Sequence, residues 1–529
     1  MAPTENNTRE FFRSLGLTNA SSIKLSSSSP VKAAVEVLQL LNPSALDHPG
    51  TESYKLLVRP ECIPFHEALS YPGAANRSQR SAAVVQEAAA IFHPSSAGEV
   101  AAAIRVFEHF QTPFAIRSGG HQTARGAAAI KDGVLVSLDR LNSIAYSEDD
   151  QIIRFGPGNR WISVYEHLHK YGRGVTGGHI GIVGTGGHIT GGGTSPFIHR
   201  HGFSCTNVKN FEVVLSGGRI VNANLEQNAD LLWALRGGAS NFGVVTRMDM
   251  YTFPLLGVWG GSIIHDISKK EQILDAFWKF QFEGIINDPG AEMLLGFSIV
   301  GDSSRIQSEV SADRIGHAEG AFPPAFQPFF DIGLDFNDTR DYTLPELARS
   351  TTENTPPEFA LWFAPEGRMN FAMVTFRPDR EFYTESVDIF YEVFEPARRL
   401  KDAQINLHIS ALQGKTVTES KARGSIATGW AEEDQLMYNM EMVWSQAEDD
   451  ELVFSLSRKC VNRVKAAAEK RGLLLPTIWM NNAHQDDDVL ASYGEANLTK
   501  MKQVSQKYDA KQTFQKLCSG PFKLDSNRV

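Results

Sequence analysis

Cysteine is scarce in this chain: Cys62, Cys205, Cys460 and Cys518 are the only four in 529 residues, and no two are spaced as CxxC. Such dispersion supplies neither a disulfide framework nor a zinc site, so the expectation is reduced thiols in a protein that stays inside the cell. Long apolar runs are missing too. None approaches the roughly 18 residues of a membrane helix, and the start MAPTENNTREFFRSLG lacks the apolar stretch of a secretory signal. Without a secretory route, the sequons at Asn19 and Asn497 carry no meaning. Positive charge is in deficit, with 51 Lys and Arg against 61 Asp and Glu, a formal net charge of -10. No basic stripe alternates with aromatics, which excludes nucleic acid as a partner. His199-Arg200-His201 is read as surface and not as a metal site, because neighbours on a strand face opposite ways and no acidic or cysteine partner has ligand spacing.

What is present is enough chain for two or more folding units. Residues 1–50 are Ser- and Asn-rich, broken at SSSSP (26–30), and read as an N-terminal appendage with a weak helical pattern in VKAAVEVLQLL. A capping box at Ser96-x-x-Glu99 opens a helix whose Val100, Ile104, Phe107 and Phe110 recur at helical steps. The segments GVLVSL (133–138), EVVLSGGRIVNA (212–223) and VVTRMDMYTF (244–253) read as strands, with Gly217-Gly218 as a hairpin turn. A helix over NADLLWALRGG is opened by Asn228 or Asp230. From about residue 256 the texture turns to longer helices and aromatic-rich strands: FAMVTF (371–376), INLHISAL (405–412) and LMYNMEMVW (436–444). This half reads as a second α+β domain, residues 256–474.

Glycine is concentrated in one place. In GVTGGHIGIVGTGGHITGGGTS (174–195) nearly half the residues are glycine, and a second small cluster lies in RSGGHQ (117–122). Ordering glycine is entropically costly, so a folded protein that gathers it lets a flat or charged ligand approach the main chain. The cluster is not a Walker loop, because Gly192 stands where lysine is required after Gly186 and Gly191. Nor is it a Rossmann fingerprint, since Ile189 takes the place of the third glycine.

Taken together, RSGGH, GPGNRW (156–161), GIVGTGGHITGGGTS, HGFSCTNV, DLLWALRGGASNFGVVT and the terminal WMNNA…SYGEANLTKMKQVSQKYDAKQTFQKL resemble the FAD-linked oxidases of the berberine bridge enzyme-like family, its fungal secondary-metabolism members above all. The likeness runs over residues 80–255 and 475–525. It implies an α+β, two-domain flavoprotein of the PCMH-type, vanillyl-alcohol-oxidase-like class. Residues 51–255 would form the FAD-binding domain, 256–474 the substrate domain, and 475–529 a segment returning to the first.

The resemblance also implies roles. Backbone N–H groups of Arg117, Ser118, Gly119, Gly120, His121 and Gln122 would bind the FAD diphosphate, since only side-chain-free backbone lets successive donors converge on one anion. His121 would carry the flavin through its 8α carbon, which raises the flavin's hydride affinity. Relatives with a second bond use a cysteine where this chain has Ile180, so the link would be single. Val183 occupies the position that gates oxygen, where valine resembles the oxidases. Gly184, Gly187, His188, Gly192 and Gly193 would surround the flavin, Val245 the adenine, and Asn481 would stand near the ring. The family's Tyr-x-Asn is Trp479-Met480-Asn481 here, so no phenol is available at that place. Substitute bases on the second domain's strands are His408, Tyr438 and Glu441; Asn406, His408 and Ser410 share one strand face, and Tyr438 lies on the face opposite to Glu441. The expected reaction is hydride transfer from a small-molecule substrate, with O2 as acceptor and no metal. A non-redox isomerase or cyclase in the same pocket and a binding protein without covalent flavin stay open.

Overall fold

A computed structural model of the chain describes residues 5–17, 29–49, 81–315, 320–353 and 367–525, together with Ile23, Leu25, Thr51 and Tyr54. Cys62, the sequon at Asn19 and Ser26–Ser28 lie outside the described residues. The first sheet has four strands in the order Leu46–Asp47, Ala90–Phe92, Val134–Ser137, Phe114–Arg117. The last three are parallel, as a crossover helix requires. That helix, Ala97–Phe110, buries Val100, Ile104, Phe107 and Phe110. The Ser96 hydroxyl accepts from Glu99 N–H at 3.2 Å, while the Glu99 carboxylate turns back to Ser95 N–H at 2.8 Å. The reciprocal arm of the capping box is therefore displaced by one residue.

Residues 30–47, read as part of an N-terminal appendage, belong to the first sheet and its core. Helix Pro30–Leu41 buries Ala33, Ala34, Val37 and Leu38 in the core of the first sheet, and Leu46–Asp47 pairs antiparallel with Ala90–Phe92. A two-residue strand has no alternation to read, which hid this edge of the sheet. The C-terminal residues close the opposite edge: Phe114 N–H donates to Leu517 O at 2.9 Å and Ser519 N–H to Phe114 O at 2.7 Å.

A second, antiparallel sheet runs Ile144–Ser147, Ile152–Phe155, Val244–Tyr251, Val208–Val214, Ile220–Ala223. Gly217 and Gly218 turn its last hairpin with φ of 74° and 75°, a conformation that glycine adopts without steric cost. The next helix, Ala229–Leu235, starts without a side-chain cap: Asn228 sits at φ 55° and donates to Asn222 O instead, at 2.7 Å.

Among the described residues between 258 and 475, nine strands build a sheet in which every pairing is antiparallel. Its central strands are Ala291–Val300, Gln404–Leu412, Gln435–Trp444 and Arg368–Phe376. One face is apolar: Ile405, Leu407, Ile409, Leu436, Met440 and Met442 pack against helices Lys270–Lys279, Arg380–Phe394 and Asp450–Lys470. The other face is polar and looks towards the first two sheets. Among the described residues no helix is long and apolar enough to cross a membrane, and Cys205, Cys460 and Cys518 are buried free thiols.

Candidate active site

The two glycine clusters meet. A Cβ placed on Gly119 would stand 2.4 Å from the Gly184 Cα, and one on Gly184 would stand 2.4 Å from the Gly119 Cα. Here the backbones touch, and any side chain would part them. The GPGNRW run makes this junction: Arg160 Nη1 donates to Gly119 O at 2.7 Å and to Ile182 O at 2.6 Å. The Ser118 hydroxyl donates to Pro157 O and accepts from Gly186 N–H. From the C-terminal segment Asn481 accepts from Gly193 N–H and donates to Gly187 O, each at 3.2 Å. Gln122 in turn donates to Met480 O at 3.0 Å.

A cavity of about 670 Å³ opens beside this junction, walled on one side by the glycine clusters and floored on the other by the polar face of the large sheet. Cross-strand register sets the floor in rows. Glu441, Asn406, Ser298 and Arg305 stand side by side in one; Asn439, His408, Gly296 and Gln307 in the next. His408 Nε2 lies 3.6 Å from Glu441 Oε2, and burial pushes its imidazole down to about 4, so it is neutral at pH 7. Glu309, on strand Ser303–Asp313, also lines the cavity; burial and then the neighbouring Asp338 push its carboxyl up to about 7.

Comparison with known proteins gives this geometry a family. Residues 88–224 match the FAD binding domain model. The bifunctional solanapyrone synthase of Alternaria solani is 32% identical over 453 residues, 85% of this chain and 84% of that protein. An FAD-dependent monooxygenase of Penicillium roqueforti is 31% identical, over 82% of this chain and 86% of its own. The chain belongs to the berberine bridge enzyme-like family of FAD-dependent oxidoreductases. Its fold is shared by the carbohydrate oxidase of Microdochium nivale (TM-score 0.72, 21% identity, 94% of this chain and 100% of that one). A berberine bridge enzyme variant is equally similar in fold, at TM-score 0.71 and 16% identity, over 92% and 99%.

The residues present fit the cofactor of a berberine bridge enzyme-like protein. Among the described residues the carboxylates on the cavity wall, Glu292, Glu309, Asp338 and Glu441, all come from the large-sheet half, and the glycine half contributes none. Arg117 and Arg160 lie buried behind the glycine junction; burial lowers each to about 10, which leaves both cationic. A carboxylate-free wall of exposed backbone with two cations behind it suits a diphosphate. Gly187 faces open space, with nothing within 4 Å of where its Cβ would be.

Ser118, Gly119, Gly120, His121, Gln122, Val183, Gly184, Gly187, His188, Val245 and Asn481 all line the cavity. Arg117 does not: its Nε donates to Ala128 O at 2.8 Å, closing the loop from below. Gly192 and Gly193 stand behind the wall, against Trp479 and against Ser204 and His188. Tyr438 is removed from the candidate bases. It points through the sheet to the apolar side, where its hydroxyl donates to Ser386 O at 3.1 Å. The His199–His201 cluster is not surface either. It is a helical turn, with His199 buried, Arg200 held by Asp313 at 2.8 Å and His201 stacked on Phe253. Among the described residues no three His, Cys, Asp or Glu side chains could hold a metal.

Sequence reasoning missed Glu309, Arg305, Gln307 and Asp338, as well as residues 519–523 at the far end of the cavity. The alternation in Arg305-Ile-Gln307-Ser-Glu309-Val was visible and marks a strand with one polar face.

Proposed function

We propose that this protein is an oxidase of small oxygen- or nitrogen-bearing molecules, with FAD attached singly through His121. The observation that carries the reading is the division of one cavity into a backbone wall that is carboxylate-free among the described residues and a polar sheet floor. Bound FAD supplies acceptance of a hydride from a substrate C–H and return of the electrons to O2 as hydrogen peroxide. Backbone N–H groups of residues 118–122 hold the diphosphate, and the buried Arg117 and Arg160 reinforce the positive potential there. His408 and Glu441 orient the polar end of the substrate from the sheet floor, the neutral imidazole offering either a donor or an acceptor. Ile180 in place of a cysteine leaves His121 as the sole tether, and Val183 on the wall keeps the approach to the ring open to oxygen. The fungal relatives named monooxygenase and synthase support a role in secondary metabolism.

A second reading, a non-redox cyclase or isomerase in the same pocket, is favoured by Trp479 and by the name of the bifunctional synthase. Three measurements decide. Acid precipitation should leave yellow, fluorescent flavin in the protein pellet, and His121→Ala should release it to the supernatant. A panel of alcohols, sugars and amines should yield peroxide, and the active compound should bleach the flavin anaerobically. Conversion of a compound without bleaching selects the cyclase reading.

A further inference from the structure

The cavity needs a group to receive the proton that a substrate O–H or N–H loses on oxidation, and the obvious ones are absent. Trp479 has no phenol, Tyr438 faces the opposite side of the sheet, and burial makes the His408 imidazole a weak acceptor. Glu309 remains. Its neighbours across the sheet are Leu294 and Ser262. The Ser262 hydroxyl donates to Glu309 Oε1 at 2.6 Å, while the N–H of the same serine donates to Asp338 Oδ1 at 2.6 Å. One residue thus fixes two carboxylates side by side on the cavity wall. Among the described residues neither has an ion-pair partner. His179 from the glycine-rich segment, Gln307 on the same strand, and Tyr342 with Arg340 on the outer strand are the other polar groups around them.

We propose that Glu309 is the catalytic residue that takes the substrate's O–H or N–H proton, with Ser262 and Asp338 as positioning residues. The proposal rests on the oxidoreductase reading of the cavity. The substrate O–H bond breaks and its electron pair closes the new C=O bond. The proton forms the O–H of the Glu309 carboxylic acid, and the hydride goes to FAD, the acceptor that the family supplies. Burial first, and then the juxtaposed Asp338 carboxylate, which resists ionising together with it, bring Glu309 close to working pH, where a general base is most effective.

Two experiments on the holoenzyme test this. The first needs no substrate. A carboxyl whose folded pKa lies above its unfolded one destabilises the fold increasingly as pH rises between the two values. The melting temperature of Glu309→Gln should therefore gain on the wild type from about pH 5 to about pH 8, and that of Asp338→Asn should show part of the same gain. A difference that stays constant with pH overturns the proposal. The second measures anaerobic flavin reduction by whichever panel compound releases peroxide. Glu309→Gln should lower the rate at least about 100-fold with KM little changed, the range general-base loss covers, and Glu309→Asp should restore part of it. Asp338→Asn should shift the rising limb of the pH profile to lower pH. An unmoved limb, or a rate within about tenfold of the wild type in Glu309→Gln, overturns it. If no panel compound reduces the flavin, the oxidase reading fails instead, and the melting series alone judges Glu309.

Discussion

Gly119 and Gly184 leave no room for each other's first side-chain carbon, whereas Gly187 has open space where its own would stand. The two kinds of glycine predict different phenotypes. Gly119→Ala must push two backbones apart, and overpacking of this sort costs about 1–3 kcal/mol. It should lower both the stability of flavin-free protein and flavin retention. Gly187→Ala should leave the flavin-free melting temperature unchanged and reduce only flavin content, read from the ratio of visible to ultraviolet absorbance. Equal losses in both variants would mean that Gly187 faces no ligand. Tyr438 supplies the opposite case: Tyr438→Phe removes a buried hydroxyl that bonds Ser386 O at 3.1 Å and meets Cys460 Sγ at 3.8 Å, at a cost of about 1 kcal/mol. Turnover should survive that change, since the hydroxyl lies on the far side of the sheet from the cavity.

Segments that meet only after folding explain the rest of the site. Asn481 ties a C-terminal turn to the glycine-rich segment by two bonds of its one amide, to Gly193 N–H and Gly187 O. Asn481→Ala should leave both without that partner, lower stability by about 1–2 kcal/mol and weaken flavin retention; Asn481→Asp should rescue the Gly193 bond alone. The motifs were legible because they are local: the glycine clusters, the Ser96 cap, the Gly217-Gly218 turn and the face shared by Asn406, His408 and Ser410 all follow from spacing. The failures have one cause. Nothing local in Glu309 or Asp338 says that Ser262 gathers them, because that depends on register between strands about 50 and 80 positions apart. Tyr438 shows the reverse: its strand face was readable, but which face meets the cavity is decided by the helices that cover the other one.

The N-terminal strand, the first parallel strand and the loop behind the glycine junction are joined by a buried charge. His93 Nδ1 lies 2.7 Å from Asp139 and its Nε2 3.1 Å from Asp47, and Asp139 in turn interacts with Arg117 beneath the glycine junction. Burial alone would lower the His93 pKa, but the hydrogen bonds and charges of Asp139 and Asp47 outweigh it, and the net shift is upward. A folded pKa above the unfolded one means that the imidazolium stabilises fully below about pH 6.5. That contribution is lost as pH rises through the higher folded value. His93→Gln keeps a hydrogen-bonding side chain but no charge. It should cost on the order of 2 kcal/mol at about pH 6, the range of hydrogen bonds to charged groups, and progressively less as pH rises. Unfolding titrations of both proteins across that range should converge on the alkaline side. Parallel curves would show that His93 is neutral throughout, and that the N-terminal strand is held by its backbone pairing with Ala90–Phe92 and by packing, without a charge.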